Sequence, residues 1–270
     1  AKIASISASP NMANLFVCAG GEMFVLNSAL EQVSAAKPDK AIGDISGSNS
    51  SMVGLAIDQQ SAYHWDIHSD DGPKLIQNVS GTLIRCNDQL TAFLQPKGSH
   101  LYIKVAKSAD GQLWASIKVT GETILDFRLS AMSKDGTCRL LVVSSDTCRT
   151  FKIDEHNEQP DAVEDKTAKF DNATATFIAS DVSTVAVVND NSVTVIIDGK
   201  SKWTDKVRPG VKQVIVTPGG HQRVLVYYTK LIMISDFEKQ TVENVVADNI
   251  CQFGESLIMY QPKGNSLQLA

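Results

Sequence analysis

The densest set of side chains able to bind a metal or move a proton is His-Trp-Asp-Ile-His-Ser-Asp-Asp at residues 64–71. His64, Asp66, His68, Asp70 and Asp71 offer imidazole and carboxylate donors, the types that hold divalent ions. On an extended strand His64 and His68 share a face. At ~3.3 Å per residue they then stand about 13 Å apart, beyond the reach of one ion. The segment reads as a strand running into a polar turn, and no metal or other cofactor is expected. Cys138 and Cys148 recur in two Thr-Cys-Arg triplets. With a hairpin turn at Ser144–Thr147, Val143 faces Cys148 and Cys138 faces Ile153. The two thiols are then about five residues out of register, past the ~7 Å Cα limit for a disulfide. Both read as small buried apolar residues.

Charge is the other chemistry on offer. Residues 154–165, DEHNEQPDAVED, hold six acids (Asp154, Glu155, Glu158, Asp161, Glu164 and Asp165) and no Lys or Arg. That composition predicts an exposed, mobile loop between two repeats. Residues 200–212, KSKWTDKVRPGVK, hold Lys200, Lys202, Lys206, Arg208 and Lys212 against Asp205, with Trp203 among them. Cations beside an aromatic can grip a phosphate backbone or an acidic peptide. The plainer reading is a solvated loop between repeats, paired with the acidic one. Ser108–Trp114 misses the sialidase Asp-box because Gly111 follows Asp110 directly, and Lys202–Asp205 lacks the Tyr of the YWTD propellers. Both read as hairpin turns. No Gly-rich phosphate loop, nucleophile elbow or His-Glu-x-x-His helix is present, so catalysis is not expected.

The elements that must position these residues are strands. LFVCAG, EMFVLN, MVGLAI, HLYIKVA, CRLLVVSS, SVTVIID and RVLVYY are short, β-branched and aliphatic, with Gly, Pro, Asn, Asp and Ser clusters between them. The best helical candidate, Ala29–Lys37, is barely two turns long and stops before Pro38. An all-β fold follows. With 43% hydrophobic residues among 270, the chain has material for a sizeable core, which excludes wholesale disorder. The net charge of −5 argues against nucleic acid as the default partner. No apolar run approaches the ~18 residues of a membrane span, and the N-terminus lacks a signal-peptide layout. Five scattered cysteines without a Cys-x-x-Cys pair point to a reducing compartment, cytoplasmic or nuclear.

The strands recur. Strand, turn, strand, turn, strand is the rhythm of Ile3–Val33, Ile124–Asp154 and Val211–Val242, the last with Thr-Pro-Gly-Gly in its first turn. Units begin near Lys2, Asp44, Leu90, Ile124, Thr174, Val211 and Asn249, a spacing of roughly 39 residues. Small sheets that cannot bury both faces alone stack so that each covers the next, and their strands then read as continuous apolar runs. A seven-bladed β-propeller spanning residues 1–270 is the expectation, with a β-sandwich or other multi-sheet β fold as the alternative. The last unit stops after its third strand. Either Ala1–Ile6 supplies the missing edge, or the chain is a domain of something longer.

In layout the units resemble the WD-repeat family. SPNMANLFVCAG follows that family's Ser-Pro-Asp-Gly core, and Trp65-Asp66 stands where its Trp-Asp dipeptide closes the third strand. Only one unit carries Trp-Asp, and none opens on Gly-His. The resemblance implies a divergent WD40-like propeller, serving as a non-catalytic protein–protein interaction scaffold within a larger intracellular complex. Two other readings stay open. One is a nucleic-acid-contacting subunit of an RNA-processing or ribosome-assembly complex, acting through residues 200–212. The other is a propeller enzyme with a central metal.

Overall fold

In the computed structural model, residues 2–119, 123–163, 167–179, 182–216, 224–228, 231–235, 240–244, 249–253, 256–261 and 266–269 are described, with side chains up to Tyr228 and at Ile258. The first sheet is β1 (Ile3–Ala8), β2 (Leu15–Ala19), β3 (Glu22–Leu26) and β4 (Gln32–Ala36). The second is β5 (Ile42–Gly47), β6 (Ser51–Ala56), β7 (Ala62–Asp66) and β8 (Lys74–Ile76). The third is β9 (Ile84–Cys86), β10 (Leu90–Lys97), β11 (His100–Lys107) and β12 (Leu113–Val119). The fourth is β13 (Ile124–Leu129), β14 (Cys138–Ser144), β15 (Thr147–Ile153) and β16 (Ala168–Lys169). The fifth is β17 (Ala175–Ile178), β18 (Thr184–Val188), β19 (Ser192–Ile197) and β20 (Lys200–Lys206). The sixth is β21 (Gln213–Val216), β22 (Val224–Tyr228), β23 (Leu231–Ser235) and β24 (Gln240–Asn244). Last come β25 (Asn249–Phe253), β26 (Ser256–Gln261) and β27 (Ser266–Leu269). Each sheet is a meander in chain order, and its ladders are antiparallel.

Four strands, rather than the three of the sequence rhythm, make the repeating unit. Six of the seven expected starts fall within two residues of a sheet's first strand. The exception is Leu90, which opens the second strand of its sheet: the first, β9, is only three residues long and carries too few side chains to register as a run. The helical candidate at 29–37 is instead β4, joined to β3 by a turn in which Asn27 Oδ1 accepts the N–H of Ala29 and of Glu31 at 2.9 and 3.0 Å. Two turns of helix cannot outweigh a ladder waiting alongside. Ile3–Ala8 pairs with β2 as the first strand of the first sheet.

The chain divides into two compact units, residues 1–121, 128–139 and 152–161 against 122–127, 140–151 and 162–270. Within each, sheets share cores. In the first unit Phe16, Cys18 and Met23 of the first sheet pack with Ile42, Met52 and Trp65 of the second. Val53, Leu55 and Ala62 turn the other way, onto Ile84, Cys86 and Phe93 of the third. In the second unit β18 divides residue by residue. Val185 and Val187 join Leu141 and Val143, while Ala186 and Val188 join Val214 and Val226. Alternate side chains therefore enter different cores, and this is why TVAVV shows no polar alternation. Trp65-Asp66 ends β7, the third strand of its sheet, with Trp65 in the core and Asp66 exposed.

Candidate functional site

The basic residues expected in a loop lie largely on a strand. Lys200, Lys202 and Lys206 belong to β20, the edge strand of the fifth sheet, and Arg208 and Lys212 follow it; all five are exposed. The strand forms because β19 offers a full ladder, Ile197 opposite Lys200 through to Ser192 opposite Lys206. A register shift opposite Val195 and Ile196 leaves Lys202 without a cross-strand partner. Side chains directly opposite share a face. Lys200 therefore lies on the face of Ile197 and Lys206 on the opposite face, that of Ser192. The bulge thus wraps positive charge around the edge instead of lining one side. Trp203 is half-buried and packs on the core cluster around Val193 and Val195. Its ring is engaged in packing, which takes away the stacking platform that a single-stranded nucleic acid would use. Lys202–Asp205 is accordingly strand, not a hairpin turn.

The acidic segment also departs from expectation. Residues 154–163 connect β15 to β16 inside one sheet rather than joining two repeats, and Glu164 and Asp165 lie outside the described residues. The described part is tied down. Ser116 N donates to Glu158 O at 2.7 Å, Val163 N to Thr150 O at 2.8 Å, and Glu155 pairs with Lys107 at 3.3 Å. Its recorded ionic partner is thus Lys107 and not a residue of the 200–212 cluster.

In the 64–71 segment, Asp66 Oδ1 accepts the N–H of His68 at 3.0 Å and Asp71 pairs with Lys74 at 2.6 Å. Among the described residues no three His, Cys, Asp or Glu side chains gather as a metal-ligand set. Cys18, Cys86, Cys138 and Cys148 are buried and free. Ser108–Gln112 is the β11–β12 hairpin turn, with Lys107 N donating to Gln112 O at 2.9 Å.

Sequence reading gave no hint of a cleft of about 260 Å³ in the first unit. His64 of β7, Trp114 of β12 and the turns at 88–90 and 107–109 line it. Burial holds the His64 imidazole below its usual pKa, with Lys74 adding to the effect and Asp66 opposing it, so the ring is neutral at pH 7. Burial raises the pKa of Asp88, but donors from Ser48, Ser50 and Asn49 outweigh it, and the carboxyl ends up below its usual range. Lys107 stands 5.7 Å from the centroid of the Trp114 ring. His64 Nε2 and Trp114 Nε1 are both buried without a hydrogen-bond partner. Each such group costs about 1–3 kcal/mol. His64, Asp88 and the Lys107–Trp114 hairpin are far apart in sequence, and only the antiparallel meanders bring them together.

No protein-family model matches the chain, and no curated protein matches it in sequence. Solved structures do match. A hydrazine synthase of Kuenenia stuttgartiensis superposes with a TM-score of 0.68 at 12% identity, over 100% of this chain and 95% of that one. Kluyveromyces lactis Hsv2 gives 0.68 at 10% identity, over 100% and 98%. The Dos1 propeller gives 0.62 at 10% identity, over 97% and 79%. At such identities the likeness is one of fold, and the repeated four-stranded antiparallel sheets of this chain are those of a β-propeller.

Proposed function

We propose that the chain is a non-catalytic, seven-bladed WD40-like propeller that serves as an interaction platform in a larger intracellular complex, engaging an acidic protein surface through Lys200, Lys202, Lys206, Arg208 and Lys212. The observation that carries this reading is the basic edge strand. Five exposed cations follow one another along β20 and the turn beyond it, on a scaffold whose sheets are held by buried cores on both faces. Lysines on an edge also deter strand addition, so the partner is met by side chains and not by an added strand. Trp203 supports an acidic protein over a single-stranded nucleic acid, because its half-buried ring is already engaged against the core. A phosphate backbone remains the second reading, since cations alone can hold one.

Purification from the native cell under gentle salt tests it, comparing wild type with Lys200→Glu/Lys202→Glu/Lys206→Glu. A stoichiometric protein set that survives nuclease and is depleted at least tenfold by the charge reversal is the expected result. Loss of the set on nuclease treatment, together with a log K against log salt slope of about −0.7 to −0.9 per phosphate contacted, supports the nucleic-acid reading instead. A set that ignores the reversal removes β20 from the interface.

A further inference from the structure

We infer that one face of the third sheet, at the tip of the β10–β11 hairpin and the adjoining end of β12, binds a single-stranded nucleic acid. These three strands carry Lys97, Lys104, Lys107 and Lys118 and no Asp or Glu, although the chain as a whole has a net charge of −5. Register decides which of these cations act together. Lys97 lies opposite His100, Gln95 opposite Tyr102, Tyr102 opposite Lys118, and Lys104 opposite Ser116. Residues directly opposite share a face with Cβ atoms about 5 Å apart. Alternate residues along a strand share it at about 7 Å. Lys97, His100, Tyr102, Lys104 and Lys118 therefore stand together on one face. Ile103 and Ile117, of the other parity, are buried. Gly98, with φ of +61°, allows a two-residue turn, and this keeps Lys97 and His100 side by side at the tip.

Tyr102 is the centre of this surface. On its face His100 and Lys104 flank it along β11, Gln95 lies across on β10 and Lys118 across on β12. Lys97 and Lys118 are exposed, and His100, Tyr102 and Lys104 are half-buried. Among the described residues, Lys97, Lys104 and Lys118 are held in no ion pair. Unlike Trp203, Tyr102 joins none of the described core clusters, so its ring is not claimed by packing there. Cations around an aromatic ring are what a single strand uses, its bases stacking on the ring while its phosphates meet the lysines. A duplex keeps its bases stacked on one another, and an acidic peptide would engage the lysines alone. The acidic segment bounds the surface on one side, because Glu158 O accepts from Ser116 N at the free edge of β12. A polyanion is thereby steered across β11 and β10.

The test uses the full chain and a fluorescent oligouridylate of about eight nucleotides, with an oligoglutamate peptide of equal charge as control. Anisotropy titrations over a range of salt read the affinity. The expected result is saturable binding with a log K against log salt slope of about −2, from roughly three phosphates at about −0.7 each. The peptide should bind at least tenfold more weakly, since it has no base to stack. Tyr102→Ala should weaken the oligonucleotide at least fivefold, and Tyr102→Phe, which keeps the ring, should restore it. Lys97→Gln/Lys118→Gln should bring the slope to about −0.7. Lys200→Gln/Lys202→Gln/Lys206→Gln should leave the slope unchanged, which separates this face from β20. An oligonucleotide that does not bind, a peptide that binds as tightly, a Tyr102→Ala variant of unchanged affinity, or a slope lost only in the β20 variant would each overturn the inference.

Discussion

Gly47 shows how far a single atom is constrained in this molecule. It lies on β5, and a Cβ there would overlap the Phe16 ring. Phe16 is fully buried in the core shared by the first two sheets, where close packing restrains its ring. Only a residue without a side chain lets the two sheets close on one another. Gly47→Ala should therefore destabilise the protein by about 1–3 kcal/mol through overpacking. Urea unfolding checks this: the midpoint should fall while the slope is kept, whereas an unchanged midpoint would mean that the ring can step aside. Nothing in the local sequence, DISGSNSS, marks this glycine out from those that merely turn the chain.

At the scale of elements, one polar device closes successive hairpins. A Ser or Asn at the end of a strand turns its side-chain oxygen onto the N–H groups that follow. Ser48 Oγ accepts from Ser51 N at 3.0 Å, Ser144 Oγ from Thr147 N at 3.0 Å and Asn189 Oδ1 from Ser192 N at 2.9 Å. Asn87 does most, taking Gln89 N at 2.9 Å and Leu90 N at 2.7 Å while its Nδ2 donates to Ser130 O at 2.8 Å. Neighbouring turns are linked in the same way, Asn49 accepting from Asn11 N and Asp88 from Ser50 N. Asn87 is only 5% exposed, so Asn87→Ala leaves buried backbone groups unpaired. A loss of about 1–3 kcal/mol is expected. Asn87→Asp keeps the acceptor but sets a carboxylate oxygen against the Ser130 carbonyl. A smaller loss than Asn87→Ala is expected if the Gln89 and Leu90 contacts carry most of the effect, and an equal or larger loss would assign it to the Ser130 contact. Thermal denaturation of the two variants side by side gives the answer.

Within each compact unit the described sheets bury their thiols away from solvent. Burial pushes Cys86, Cys138 and Cys148 up to about 12, and burial aided by the Asp44 charge pushes Cys18 up to about 11. In the unfolded chain each titrates near 9. The folded state thus holds protons that the unfolded state gives up. The stability this brings is complete below about pH 9 and is lost progressively as pH rises toward 11–12. Unfolding free energy should accordingly fall steeply above pH 9. At pH 8, alkylation of these four cysteines, read peptide by peptide, should wait for denaturant. Rapid labelling of the native protein at Cys86 or Cys148 would show that the sheets open locally.

The all-β class, the recurrence of the sheets and the place of Trp65-Asp66 were legible in the sequence, because short β-branched runs and turn residues are local properties. Continuous apolar runs such as RVLVYY also announced burial on both faces, and four successive residues of β22, Val224 to Tyr227, are buried. Three features were decided by tertiary structure. Ala29–Lys37 became β4 because a ladder partner outweighs a weak helical pattern. Residues 200–206 became an edge strand because β19 was available to pair, and its bulge and the burial of Trp203 follow from that pairing. The cleft at His64 joins residues 24 to 50 positions apart in sequence, counted from His64 to Asp88 and to Trp114. No spacing rule within one strand could signal it, since its geometry is set by register between strands and by the packing of one sheet on the next.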